Sequence, residues 1–250
     1  MITKFNEYIN ESLRDKMTPK SDEDVLNTLK GLNPIDKLKK IKQNKLDYLF
    51  PKEELDKLKQ DVENSIKEID FEGGSDSESK RLAINNRIKL TEIALQIDSV
   101  GIMKEILNHK LKTMDAIGEE FKDGSKDKRD YLNMLLNKAL YHNSINIYKY
   151  LVNEIGVRIN NRHGDIIAFA ANAGYMDFLK FFLEERRFNI NIGDGIILGT
   201  AIEKGKMEVV KYLLDIGAKT DNVEKYLKRA KMYRHDEVVD YVKNYIKEND

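Results

Sequence analysis

One pattern recurs five times along this sequence, and it constrains the fold more than any other feature. Each copy has an alanine followed ten positions later by lysine, or by aspartate in the last copy, with two apolar residues immediately before that position. Apolar residues that return at helical spacing predict a helix with one buried face. The five alanines are Ala94, Ala139, Ala170, Ala201 and Ala230, at spacings of 45, 31, 31 and 29 residues, the differences between their numbers.

The fourth residue after each alanine is predicted to reverse the chain between two helices. Gly174 and Gly205 hold this position in the central copies, where a left-handed residue ends the first helix. Asp98 and Asn143 tolerate the same conformation, and Arg234, in the last copy, is the least suited to it. Each copy is therefore predicted to be a pair of antiparallel helices, brought close together at the small alanine.

Composition excludes several classes of protein. A hydrophobic fraction of 41% in 250 residues supports a sizeable core, and 43 basic against 43 acidic residues give no net field toward nucleic acid or anionic membranes. The absence of cysteine excludes disulfides and thiol catalysis. No apolar run approaches the roughly 18 residues of a membrane span, and the N-terminus lacks the apolar core of a secretory signal. We expect a cytoplasmic protein that binds neither nucleic acid nor membrane.

Two stretches identify a family that the repeat resembles. "GKMEVVKYLLDIGAK" (205–219) and "LVNEIGVRIN" (151–160) are similar to the second helix and following turn of ankyrin repeats, most closely the divergent repeats of large DNA viruses and phages. The resemblance covers residues 81–250. It implies an all-α, ankyrin-type helical repeat solenoid of about five units behind an N-terminal helical cap, residues 1–72. It also implies a monomeric, non-enzymatic module that binds an unidentified protein partner, in the host cytoplasm if viral.

The Thr-Pro-Leu-His signature of ankyrin repeats is missing from this chain. Residues 165–168 and 196–199 occupy the positions of this tetrapeptide in two copies, and both stretches still predict a helix. Asp165 is able to cap the helix of the first stretch. Typical ankyrin repeats have about 33 residues, so the 31-residue spacing implies a finger loop shortened by about two. Recognition is then expected to depend more on the concave helix face.

The family geometry places candidate contact residues near the helix turns and in the finger loop that precedes the third copy. These protein-binding candidates are Tyr141, His142, Asn161, Arg162, His163, Asn172, Glu203 and Lys204.

An insertion lengthens the spacing between the first two copies. Residues 115–130, "DAIGEEFKDGSKDKRD", are charged and contain glycine, which predicts a solvent-exposed loop. Insertions of this kind sometimes mark a binding face, and a solvated spacer is the preferred interpretation.

The N-terminal third does not repeat. Asn33 with Pro34 predicts a helix start, Pro51 predicts another, and residues 72–79 predict a linker. An alternative function rests on the first twelve residues, "MITKFNEYINES", which are similar to targeting segments of internal head proteins of large tailed phages. The resemblance implies cleavage after Glu11, within Ile9-Asn10-Glu11, and a place in the virion.

No motif for chemistry emerges. The four histidines lie in different copies without ligand spacing, so we expect no metal site. "GTAIEKGK" (199–206) is one residue too long for a phosphate loop, and the pair Glu184 and Glu185 lies among lysines and arginines, which gives no support for a general-acid role. Acidic residues are interleaved within the basic clusters, a pattern that is typical of solvated helix faces. We expect no catalytic residue and no cofactor.

Overall fold

A computed structural model of the chain describes residues 22–43, 46, 49–67, 77–117, 128–159 and 163–249. Throughout these ranges every regular element is a helix, which confirms the all-α class. The chain divides into two compact units, Met1–Ile97 and Asp98–Asp250. The predicted boundary between a region 1–72 and a region 81–250 stays a prediction.

The helices are numbered in chain order. The first unit contains α1 (Asp22–Leu29), α2 (Pro34–Gln43), α3 (Lys52–Lys67) and α4 (Ser77–Ile97). The second contains α5 (Val100–Ile117), α6 (Lys128–Tyr141), α7 (Ile145–Asn153), α8 (His163–Ala173), α9 (Met176–Lys180) with a π-helical turn (Phe181–Glu185), α10 (Ile192–Glu203), α11 (Met207–Asp215), α12 (Glu224–Met232) and α13 (Asp236–Asn249).

In the first unit, α2 packs against both α3 and α4. The predicted start of α2 is confirmed, since Pro34 is its first residue and the Asn33 side-chain oxygen accepts the backbone N–H of Asp36 at 2.9 Å. Pro51 lies immediately before α3 and not inside it. The linker prediction for residues 72–79 was wrong at its end, because α4 already begins at Ser77.

The second unit is a series of helical hairpins. Contacts join α6 to α7, α8 to α9, α10 to α11 and α12 to α13. Along the series, α10 packs against both α8 and α12, and α5 packs against α7. The first helices of the hairpins therefore form one row, and α5 and α7 begin a second row.

The predicted turns are confirmed in all five copies. Asp98, Asn143 and Arg234 have φ angles of 53°, 59° and 62°, and Gly174 and Gly205 have φ angles of 81° and 64°. In four copies the alanine carbonyl accepts the N–H of the residue five positions later, the bond that closes a left-handed helix end. These donors are Ser144, Tyr175, Lys206 and His235, at 2.7, 2.9, 2.9 and 3.0 Å.

The buried face of the repeat is also confirmed. All five repeat alanines have 0% exposure, and the apolar pair that precedes the tenth position is buried in every copy. These pairs are Ile102 and Met103, Ile147 and Tyr148, Phe178 and Leu179, Val209 and Val210, and Val238 and Val239.

Two details of the repeat differ from the predictions. Asp165 does not begin its helix, because α8 starts at His163 and leaves Asp165 exposed in the first turn. The loop prediction for residues 115–130 was wrong at both ends, because α5 continues to Ile117 and α6 begins at Lys128. Residues 118–127 lie outside the described ranges.

The helix predicted at residues 196–199 is present, and its start has an unusual backbone. Gly193, Asp194 and Gly195 have φ angles of 66°, 52° and 77°, so three consecutive residues at the start of α10 are left-handed. Right-handed helix resumes at Ile196. Two glycines make this path accessible at low cost.

Three of the four lysines at the tenth position contact a ring of the next copy. The Nζ atoms of Lys104 and Lys149 lie over the rings of Tyr150 and Phe181, at 5.0 and 5.3 Å from the ring centres. Lys211 lies over Tyr241 in the same way, at 5.4 Å. Each of these rings belongs to the residue eleven positions after the alanine of the following copy. The lysine ten positions after one alanine therefore forms a repeated cation–π contact with the neighbouring copy.

Asp98 connects the first two copies. Its carboxylate accepts the backbone N–H groups of Asn146 and Ile147, at 3.0 and 2.9 Å, and therefore caps α7 from outside that helix. We expect Asp98→Ala to lower the free energy of unfolding by about 2 kcal/mol, since the variant loses the cap and places alanine at a positive φ. Urea denaturation monitored by circular dichroism measures this change.

Asp98→Asn is the matched control. Asparagine keeps an acceptor oxygen and tolerates the left-handed conformation, so its loss of stability is expected to be smaller. Equal stability of Asp98→Ala and the wild type would contradict the capping role.

Candidate functional site

The turns between the paired helices of the second unit bring large side chains to one end of the hairpins. We call this region the turn surface. It comprises Tyr141, His142, Phe169, Tyr175, Glu203, Lys204, Arg229, Met232, Tyr233 and His235.

An aromatic group lies at the α6 and α8 end of the turn surface. The ring of Tyr141 is stacked on Phe169, with ring centres 6.2 Å apart, and Phe169 meets Tyr175 edge to face at 6.1 Å. The Tyr175 hydroxyl donates to the Tyr141 carbonyl at 3.2 Å. Burial, followed by the neighbouring Tyr141, raises the pKa of Tyr175, so this hydroxyl stays a protonated donor. The contacts hold Tyr141 in place while leaving it 69% exposed.

A mixed group of charged and aromatic side chains lies at the α10 and α12 end. Glu203 accepts from Arg229 at 3.1 Å and lies 3.7 Å from the ammonium group of Lys204. Lys204 in turn lies over the Tyr233 ring, 5.5 Å from its centre. Tyr233 is 58% exposed and Met232 is 80% exposed. Both signs of charge therefore border two large exposed side chains.

The glycine at each central turn lies against a side chain of the next copy, and at Gly205 that side chain leaves no room for a Cβ atom. A Cβ atom on Gly205 would lie 2.6 Å from the His235 ring, and one on Gly174 would lie 3.6 Å from the Lys206 side chain. His235 also lies beside Tyr233, with ring centres 6.4 Å apart. Consecutive turns are thus packed on one another, which gives the turn surface a continuous base.

The predicted contact residues divide between two ends of the hairpins. Tyr141, His142, Asn172, Glu203 and Lys204 all lie at or beside the turns. His163 is the first residue of α8, about 13 Å along the helix axis from Asn172. Asn161 and Arg162, like the predicted processing site at Ile9 and Glu11, lie outside the described residues.

Six members of the turn surface were not among the contact residues predicted from the sequence: Phe169, Tyr175, Arg229, Met232, Tyr233 and His235. Met232 is the second residue after Ala230 and so occupies the repeat position of Tyr141 and Glu203, a signal that the register already contained. Tyr233 occupies the position of Lys204 in the same way. Phe169 carried no such signal, because it belongs to the surface only through its contact with Tyr141.

The described residues show no arrangement for metal chemistry or membrane insertion. Within the ranges given above, no group of three or more His, Asp and Glu side chains is close enough to hold a metal ion. Among those same helices, none combines the length and the apolar character that a membrane span needs.

No protein-family model matches the chain, and neither a curated protein nor a solved structure matches it. The resemblance to ankyrin repeats therefore stays a prediction that depends on the residues quoted for it.

Proposed function

We propose that this chain is a non-enzymatic, ankyrin-type helical repeat protein whose turn surface binds a protein partner. The exposure of Tyr141, Met232 and Tyr233, at 69%, 80% and 58%, carries the proposal. Large aromatic and methionine side chains held at a surface are typical of protein interfaces, where they supply most of the binding energy.

The contacts beneath these side chains support the proposal. Tyr141 is stacked on Phe169, and Tyr233 is bordered by Lys204 and His235, so little side-chain entropy remains to be lost on binding. The neighbouring charges of Glu203 and Arg229 have opposite signs, an arrangement that selects a complementary protein surface rather than a polyanion.

The ankyrin-type assignment is supported by the repeat itself. Five copies share a buried alanine and a left-handed turn four residues later. The second helix of the fourth copy, α11, has the sequence that most resembles the family. A viral or phage origin, for which the divergent signature is the argument, belongs to the same proposal.

The test compares two variants in affinity capture. The turn variant combines Tyr141→Ser, Met232→Ser and Tyr233→Ser, and the control is Ile216→Ser, an apolar residue 41% exposed at the opposite end of α11. Proteins captured from native or infected cells are quantified by mass spectrometry, and the partner is then titrated calorimetrically. The turn variant is expected to bind at least about thirtyfold more weakly, because interface anchors contribute about 2 kcal/mol or more.

A third variant distinguishes the two ends of the hairpins. Arg162→Ala with His163→Ala alters the predicted finger and leaves the turn surface intact. Loss of the partner in this variant, with full retention by the turn variant, would show that binding occurs at the fingers and would overturn the turn-surface proposal.

A further inference from the structure

A second feature of the same unit is a cleft beside α6, separate from the turn surface. Its volume is about 790 Å³, within the range of small-molecule sites. The walls are one face of α6, Tyr148 of α7, the segment that follows α7, and one residue of α8. The lining residues are Lys128, Arg129, Leu132, Asn133, Leu136, Asn137, Leu140, Tyr148, Ile155, Gly156, Val157, Arg158, Ile159 and Ile166.

The cations of the cleft are gathered at one end. Lys128 and Arg129 are the first two residues of α6, and Arg158 lies in the segment that follows α7. Because α6 and α7 form an antiparallel hairpin, the start of the first and the residues after the second lie at the same end. The N-terminal end of α6 adds the positive pole of its helix dipole there. Among the described residues that line the cleft, none is acidic.

The rest of the lining is mostly aliphatic and also includes Asn133, Asn137, Tyr148 and Gly156. Leu132, Leu136 and Leu140 follow one another at helical spacing away from the cationic end, over about 18 Å of α6 from Lys128 to Leu140. Ile159, next to Arg158, and Ile166 of α8 also line the cleft and are only half-buried. A ligand therefore meets positive charge at one end of the cleft and hydrocarbon along its length.

From this segregation we infer that the cleft binds a single-chain amphiphile with an anionic head group. The carboxylate or phosphate head lies among Lys128, Arg129 and Arg158, and the alkyl chain lies along the leucines of α6. Charge-assisted hydrogen bonds orient the head, and burial of apolar surface holds the chain. The chain as a whole has no net charge, so the cationic end is a local property of this cleft.

Calorimetric titration of the full chain with four probes below their micelle-forming concentrations tests the inference. Dodecanoate and dodecyl phosphate share the chain and carry an anionic head, dodecanol carries a neutral head, and dodecyltrimethylammonium a cationic one. The inference predicts one equivalent of an anionic probe bound at least about tenfold more tightly than dodecanol, since one charge-assisted hydrogen bond is sufficient for that ratio. Tighter binding of dodecanoate indicates a fatty acid, and tighter binding of dodecyl phosphate a phosphate-headed lipid.

Variants assign the binding to this cleft. Arg158→Gln is expected to weaken binding of the anionic probe about tenfold and to leave dodecanol unchanged. Lys228→Gln, which removes an exposed cation of α12, is the matched control and is expected to bind as the wild type does. In methyl NMR spectra, the signals of Leu132 and Ile166 are expected to shift, and those of Val238 in α13 to stay in place.

Several results would overturn the inference. Equal affinity for dodecanol and both anionic probes would exclude a role for the head group. Absence of binding of both anionic probes would overturn the inference as a whole. Unchanged binding of the anionic probe by Arg158→Gln would show that the head group does not lie where we place it. Binding of an acidic amphipathic peptide without binding of any alkyl probe would assign the cleft to a protein partner instead. Since Arg158 does not belong to the turn surface, each outcome leaves the proposed function separately testable.

Discussion

Ala201→Asp is expected to lower the free energy of unfolding by about 4 kcal/mol. Ala201 has 0% exposure in α10, which packs against both α8 and α12. A carboxylate there has no room to reach water, and the alanine carbonyl is already engaged with the N–H of Lys206 at 2.9 Å. An unpaired buried charge is among the most destabilising single changes.

Chemical denaturation of Ala201→Asp and Ala201→Ser measures this effect. Serine has nearly the size of alanine and carries a hydroxyl that can bond to the preceding helical turn, so we expect it to lose much less stability. A thermal midpoint for Ala201→Asp within about 2 °C of the wild type would contradict the register of the repeat.

Gly199→Ala is expected to destabilise the protein, although alanine is the better helix former. In an exposed helix this change stabilises by about 1 kcal/mol. Here a Cβ atom would lie 2.2 to 2.5 Å from three ring atoms of Tyr226, which is 8% exposed in α12. The overlap forces α10 and α12 apart or expels the ring, so we expect a net loss of about 1–3 kcal/mol.

A control and a rescue test the cause of that loss. Gly164→Ala makes the same substitution in α8, where the new Cβ lies 3.3 Å from the Ile192 side chain, and its effect is expected to be small. Combining Gly199→Ala with Tyr226→Ala removes the overlap, so the two effects are expected to be strongly non-additive. A stabilised Gly199→Ala variant would show that helix propensity prevails and that Tyr226 leaves the interface without cost.

The register and turns of the repeat were predictable because they depend on local properties. The position four residues after each alanine is left-handed even in the copy that has Arg234, the least favourable residue. The bond from the N–H of His235 to the Ala230 carbonyl, at 3.0 Å, closes that helix end as it does in the glycine copies. A helix end defined by its own backbone bonds thus overrides the preference of one side chain.

One irregularity could have been seen in the sequence. From Lys211 to the left-handed Gly217 there are six residue steps, and from Lys180 to the left-handed Arg187 there are seven. The second copy also has seven steps, from Lys149 to the left-handed Gly156, but only in the third copy do the described residues form a π-helical turn there, Phe181–Glu185. A single inserted residue in a helix is commonly accommodated in this way.

Contacts between copies were not predictable from the sequence. The cap that Asp98 provides for α7 joins residues 48 and 49 positions apart, and Tyr226 against Gly199 joins two different hairpins. The sequence indicated the conformation of Asp98 and the helix around Gly199, but not the partner of either. Five of the candidate contact residues lie near the turns, whereas Phe169 entered the turn surface only through Tyr141.

The sequence by itself determined the helical class, the five copies, the buried alanines and the left-handed turns. These follow from the period of apolar residues and from hydrogen bonds within a few residues of one another. Only the tertiary structure decided which rings lie over Lys104 and Lys149, which side chains meet at the turns, and that Arg158 lines the same cleft as the start of α6. The physical reason is that these contacts depend on how neighbouring hairpins are placed, which is fixed by packing among many side chains and not by local propensity.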